Sequence, residues 1–503
     1  MLVAYVRTVK TASGAIAVQI VYSNRRGSRE IEHVGSAHTP AEVEVLKTVA
    51  RQRMHTNQDT LDLQDGQLGD DEAPIVSSLA RHLWDVLGIA YQVLGLDRAC
   101  GGDDVFRSLV LARVIEPTSK LDSIRVLTEV GISAPSYPTI KRRLPVYATP
   151  QWRDGLAAAC AAHVGLGPAT LVLYDVTTLY FETDEGDGFR EPGFSKERRL
   201  EPQITVGLLT DVRGFPLQVH AFEGNTAETR TILPVVQAFA AAHELPEVTV
   251  VADAGMLSEA NLKDLEDAGL RFIVGARIPD VPYKVREWRR RHPGEPIADG
   301  QIFTQPTVMG TKADLRRRTI FYQYRADRAR RTLKGIDQQI AKAEKAVTAG
   351  PAAVKRNRFV QLTGGTRSVN RDLESKARAL AGLKGYVTNL EAPAAEYVMG
   401  AYHQLWQIEH SFRMSKTDLR ARPIYHHKRE SIEAHLTIVM AALAVSHWLE
   451  RQTGWSISKL VKTLRRYRSI AVQTGDHILH AGTPLDHDTR TAITAVKNAA
   501  AGH

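Results

Sequence analysis

Tyr402, Glu409 and Lys416 follow one another at seven-residue intervals, in a stretch whose apolar spacing reads as helix. Each step of seven turns a straight helix by only about 20°, so a phenol, a carboxylate and an ammonium fall on one face. Two more carboxylates, Asp175 and Asp253, interrupt or end the apolar runs LVLYDVTTLYF and VTVVADAG, which read as buried strands. An acid in such a run is costly to bury unless it is paired or binds a cation. Three acids on two strands and one helix make a cage of hard oxygen ligands for divalent ions. That is the equipment for breaking and rejoining phosphodiester bonds. Each residue also has an ordinary role open to it. Asp175 could mark a bulge or sheet rim, Asp253 could cap the next helix, Glu409 could be solvated, and Lys416 could snorkel at the surface. The set carries the reading.

The elements that must position these groups change character along the chain. Residues 1–54 read as a β-meander (runs 2–9, 14–23 and 29–35) plus a helix opened by Thr39-Pro40, and residues 55–75 as an acidic linker. From 76 to 165 the spacing is helical. Within it, Ser136 is a candidate N-cap for a helix carrying Lys141, Arg142 and Arg143, in a helix–turn–basic-helix order that fits DNA contact. Residues 166–277 hold five strand runs, the first three on short connectors and the later ones alternating with helices, as in a mixed sheet with helices on its faces.

Residues 278–390 form a basic insertion, in which the long helix from Ala326 to Ala346 shows little apolar face. Between 311 and 390 there are 19 Lys and Arg against 6 Asp and Glu, a net +13, so the remainder of this +9 chain is acidic. Such a concentration, which includes Arg316, Arg317 and Arg318, is an electrostatic footprint for phosphates. Residues 391–452 return to helix, and 453–503 form a tail with a basic amphipathic helix, ISKLVKTLRRYRSI.

Two cysteines without CxxC or Cys/His spacing argue against a zinc site or a disulfide framework, and fit a reducing cytoplasm. No GxxxxGK[ST] loop occurs, so ATP is not expected, and no HExxH motif points to a zinc protease. The N-terminus lacks the apolar run of a signal peptide, and the longest apolar helical run, Leu436 to Leu449, is too short for a membrane span.

Four stretches carry a resemblance that covers about 170 to 450: LVLYDVTTLYFE, GFSKERRLEPQITVGLLTDVRGFPLQVHAFEGNTAE, VVADAGMLS and YHQLWQIEHSFRMSKTDLRARPIYHH. The chain resembles bacterial insertion-sequence transposases of the DDE type, in the subgroup with a Tyr-Arg-Glu-Lys signature. The resemblance implies an RNase H-like α/β fold with an insertion between the second and third acids. It implies Asp175, Asp253 and Glu409 as the metal-binding triad, supported by Tyr402 and Lys416. It further implies Mg²⁺ as cofactor with Mn²⁺ as substitute, double-stranded DNA as partner, and a homodimer that joins two DNA ends. The signature arginine has no match, because its position is Leu405; Arg413 or His410 are the candidates to replace its phosphate contact. The competing readings are an RNase H-like endonuclease without strand joining and a catalytically silent DNA-binding relic.

Overall fold

The computed structural model describes residues 3–10, 16–23, 29–37, 43–44, 46–47, 49–50, 75–183, 185–193, 201–256, 258–309, 314–348, 358–363, 366–422, 424, 426–474 and 477–502. The expected Thr39-Pro40 helix start, the acidic linker up to 74 and the Gly-Phe-Ser-Lys segment at 193–196, past its first glycine, lie outside them. The chain forms two units, Met1–Ala73 and Pro74–His503. In the first, the strands Val3–Lys10, Ile16–Ser23 and Arg29–Ala37 make an antiparallel meander. Its alternation turns Val18 and Ile20 inward, onto Val43 and Ala50.

The second unit opens with a strand, Ile75–Leu79, and a run of helices that includes α1 (Asp104–Ile115), α2 (Ser123–Glu129) and α3 (Tyr137–Tyr147). Asp103 and Ser136 cap α1 and α3, accepting from Phe106 N and Thr139 N. The central sheet then begins with β1 (Ala169–Tyr180), β2 (Gln203–Thr210) and β3 (Pro216–Glu223), paired antiparallel. Next, β4 (Glu247–Ala252) and β5 (Arg271–Ala276) run parallel to β1, linked through the helices Ile232–Ala242 and Glu259–Asp267. Short connectors permit only antiparallel pairing, whereas a crossover helix permits parallel pairing. The resulting order β3-β2-β1-β4-β5 is the RNase H-like arrangement.

Residues 278–390 extend this same sheet. β6 (Ile302–Met309), β7 (Arg316–Tyr324) and β8 (Leu383–Thr388) add antiparallel strands in the order β6-β7-β8-β5, giving eight in all. Between β7 and β8 runs α4 (Ala326–Thr348). Contrary to the sequence reading, it has an apolar face: Ile336, Ile340 and Ala343 bury against Phe359 and Ala377.

The expected single helix through Tyr402, Glu409 and Lys416 is two, α5 (Ala395–His403) and α6 (Leu405–Thr417). Gln404 N bonds to Ala401 O and Gln407 N to Gln404 O, at 3.1 and 2.8 Å, three residues apart instead of four. That local tightening breaks the regular ladder and re-aims the face that follows. α7 (Arg429–Thr453) has 25 residues and extends beyond the apolar run 436–449 at both ends. It is long and apolar enough to cross a membrane, but 89% of its most apolar window is buried inside the protein.

The tail also departs from expectation. Its helix stops at Leu464, and Ser469–Thr474 becomes a strand between Ile75–Leu79 and His477–Gly482. Arg465 Nε reaches Glu129 at 2.7 Å and its Nη2 reaches Glu116 at 2.5 Å, so the tail's charge ties it to the α1–α2 region.

Candidate active site

Asp175 lies within β1, in unbroken register with Leu208 of β2, so it marks no bulge. The parallel register of β1 and β4 sets Leu173 opposite Val251. Counting two residues on from that last pair brings Asp175 abreast of Asp253, beyond the paired stretch, and both line one cavity. Asp253 therefore stands just past the carboxyl end of β4, where ligands gather in α/β sheets. It is not the cap of the next helix. Ser258 fills that role, accepting from Asn261 N in a capping box.

Asp253 is held from the opposite side. The Tyr402 hydroxyl donates to its Oδ1 at 2.6 Å. The Tyr402 ring is 5% exposed and meets Tyr386 edge-on, with centroids 5.0 Å apart. Burial, and then the bond to Asp253, raises the phenol's pKa far above its ordinary value. Tyr402 is thus a neutral donor that orients a carboxylate. Its approach depends on Gly275 of β5, where a Cβ would sit 2.8 Å from the Tyr402 oxygen and 2.9 Å from Ala254 Cβ.

α6 buries Leu405, Ile408 and Phe412, which leaves Glu409 exposed beside that seam. Lys416 takes a different path: its ammonium donates to Thr177 Oγ1 on β1, two residues along the same strand face from Asp175. Asp175, Asp253, Tyr402 and Glu409 line one cavity of about 360 Å³, together with Lys384, His403, Leu405 and Trp406.

Lys384 escaped the sequence reading. It comes from β8, within the inserted segment, and its ammonium lies 4.4 Å from the centre of the Tyr402 ring. Burial, and then Arg328, lowers its pKa, against the pull of the Asp253 and Glu409 carboxylates. The sequence signal was slight: one lysine in an otherwise apolar strand, LKGYVT. Trp406, 57% exposed at the rim, was also missed.

Among the described residues, no three His, Cys, Asp or Glu side chains stand close enough to share one ion. A pair of magnesium-type ions does not require that. Each is held by one or two carboxylates plus waters and substrate oxygens. Three carboxylates around one open cavity fit such a pair in donor chemistry.

The residues expected to touch DNA are scattered. Lys141 and Arg142 are exposed on α3, while Arg143 is ion-paired with Asp103. Arg413 is exposed on α6; neither it nor His410 lines the catalytic cavity. Arg316 pairs with Asp267 and Asp314, and with Arg317 it lines a separate cavity at the far part of the sheet. Arg318 is a correction. It is 3% exposed, and its guanidinium reaches Glu266 at 2.8 and 2.9 Å and Glu259 at 2.7 Å, which leaves nothing for a phosphate.

The sheet order is RNase H-like, and two acids at adjacent parallel strands with a third on a helix bordering the same cavity are an arrangement suited to phosphoryl transfer. The sequence model of the transposase DDE domain family matches residues 166–445, more than half of the chain, a span that contains Asp175, Asp253 and Glu409. The chain belongs to this family: it is a DDE transposase, an enzyme of DNA cleavage and strand transfer. No curated protein matches it. Among solved structures, the piggyBac transposase synaptic complex with hairpin DNA matches with a TM-score of 0.34 and 12% identity, over 82% of this chain and 74% of that one.

Proposed function

We propose that this transposase cuts at the ends of its own insertion element and joins the freed 3′ ends to target DNA, with Asp175, Asp253 and Glu409 holding Mg²⁺, or Mn²⁺ in its place. The observation that carries this reading is the single cavity where all three acids meet. When bound there, such ions would supply activation of the attacking hydroxyl and stabilisation of the leaving oxygen. Tyr402 fixes the orientation of Asp253 through its hydrogen bond. Lys384 and Lys416 offset the carboxylate charge, and Lys384 stands where a scissile phosphate would need a cation. It is our candidate for the contact that the signature arginine makes, since Leu405 is apolar wall.

The inserted segment grips backbone. On α4, Arg331, Lys334, Lys342 and Lys345 project within about 80° of one another, opposite Ile336 and Ile340. None has a carboxylate partner among the described residues, unlike Arg371 and Arg378, which are paired with Glu374. Two copies act together, because two ends must be joined, and the work is done in the cytoplasm on nucleoid DNA without ATP.

The test uses duplexes carrying the element's native ends, with wild type and Glu409→Gln side by side in Mg²⁺. Nicking and joining by wild type alone support the proposal. Nicking without joining replaces it with an endonuclease.

A further inference from the structure

Arg113 on α1 and Lys120 in the turn before α2 are 6% and 5% exposed. Among the described residues the Arg113 guanidinium makes no hydrogen bond and no ion pair. Lys120 has one contact, 3.4 Å to Nδ1 of His435 on α7. With His435 Nε2 donating to the Ala421 carbonyl at 3.1 Å, Nδ1 carries the lone pair that accepts from the ammonium. Burial, and then the Arg113 charge, pushes the Lys120 pKa well below its ordinary value. Both cations open on a cavity of about 650 Å³, whose wall continues through Tyr137, Arg420 and His426. The one acid on its rim, Asp122, is engaged by Arg125 at 3.2 Å.

A buried amine beside a buried guanidinium sheds its proton unless an anion arrives to hold both charges. We infer that this cavity is a phosphate-binding pocket, and that its ligand is a phosphodiester of the bound DNA. Two placements favour a strand as the source. Tyr137 begins α3, whose exposed Lys141 and Arg142 continue the positive surface outward. On the other side, Arg420 and His435 are chain neighbours of Ala421 and Leu436, which line the small cavity behind Thr177 and Lys416. A strand seated on α3 can therefore leave one phosphate here on its way to the catalytic acids. The choice of source rests on the transposase reading; the anion pocket itself does not.

The experiment uses the full chain without divalent metal, so that binding is read without cleavage. Fluorescence anisotropy with an end duplex is measured across salt concentrations for wild type, Lys120→Met, Arg113→Met and Lys120→Arg. Thermal melting is followed with and without inorganic phosphate.

Each methionine variant should bind duplex about 10-fold more weakly at 0.1 M salt and lose about one unit of salt slope, while Lys120→Arg keeps both. Ligand-free Lys120→Met should melt higher than wild type, because a poorly satisfied buried amine is replaced by an apolar group. Phosphate should raise the melting temperature of wild type and not that of Lys120→Met. A phosphate response with unchanged duplex binding makes free phosphate the ligand and overturns the strand assignment. Unchanged duplex binding together with no phosphate response overturns the pocket altogether. So does a lower melting temperature in Lys120→Met with duplex affinity intact, which would make the cluster structural. Loss of nicking by wild type would be a separate failure, that of the catalytic proposal.

Discussion

Two buried arginines behave in opposite ways. Arg318, inside the extended sheet, has its guanidinium filled by two glutamates and is part of the scaffold. Arg113, in the helical region, is as buried and has no carboxylate at all among the described residues. The acids divide likewise: Glu266 is bonded twice by Arg318, whereas Glu409 stands exposed in the catalytic cavity. Charge that is already satisfied holds the protein together. Charge that is left open awaits a ligand, and its removal should harm function more than stability.

That distinction can be broken most directly at Glu409. Glu409→Gln should lower end cleavage by about 10³-fold or more. Its stability to denaturant should stay within about 0.5 kcal/mol of wild type, as for an exposed position. A large loss of stability would show that Glu409 is scaffold. Arg318→Met is the converse case. It strands the largely buried Glu266 and should cost about 3 kcal/mol in urea unfolding. Stability equal to wild type would dissolve the contrast.

Lys384→Met sharpens the comparison inside the cavity. Cleavage should fall about 10²-fold, as when one preorganised cationic donor is lost, with melting unchanged or higher because the lysine is half-buried. Unaltered cleavage would return the missing arginine's role to another residue. Gly275→Ala is milder. Its new Cβ must push Tyr402 away from Asp253, at about 1 kcal/mol of overpacking, and single-turnover cleavage should drop several-fold.

The smallest effect is a pH slope. Burial lowers the pKa of His220 and of His447 from the ordinary 6.5 to about 4. Between those values the unfolded chain binds more protons than the folded one. Their contribution to stability is therefore complete above 6.5, is lost as pH falls towards 4, and changes no further below. Melting temperatures measured across that window should fall with acid, and less steeply in His447→Gln. An equal slope would remove His447 as a cause.

Much of this was written locally in the chain. The five strand runs of the central sheet are rich in Val, Ile, Leu and Phe because much of their surface is covered, and connector length separates the antiparallel from the parallel ones. Ser136 announced its helix by type and position. Local signals failed where a contact came from far away. Nothing near Gln404 in sequence marks the break between α5 and α6. Nothing in ISKLVKTLRRYRSI shows that its last two residues, Ser469 and Ile470, would open a strand paired with Ile75–Leu79, almost four hundred residues earlier. Arg318 looked like a phosphate ligand because its partners, Glu259 and Glu266, lie more than fifty residues upstream.

The sequence by itself supplied the candidates for the chemistry: three carboxylates with a tyrosine and a lysine, in runs whose periodicity sets strand or helix. Periodicity is a property of neighbours, so it survives without a fold. Tertiary structure alone decided which charges are answered. The parallel pairing of β1 and β4 brings Asp175 abreast of Asp253, β8 carries Lys384 to the acids, and α7 brings His435 to Lys120. Whether a charge is a brace or a binding group depends on what stands within about 3 Å of it, and in this chain those partners come from distant segments.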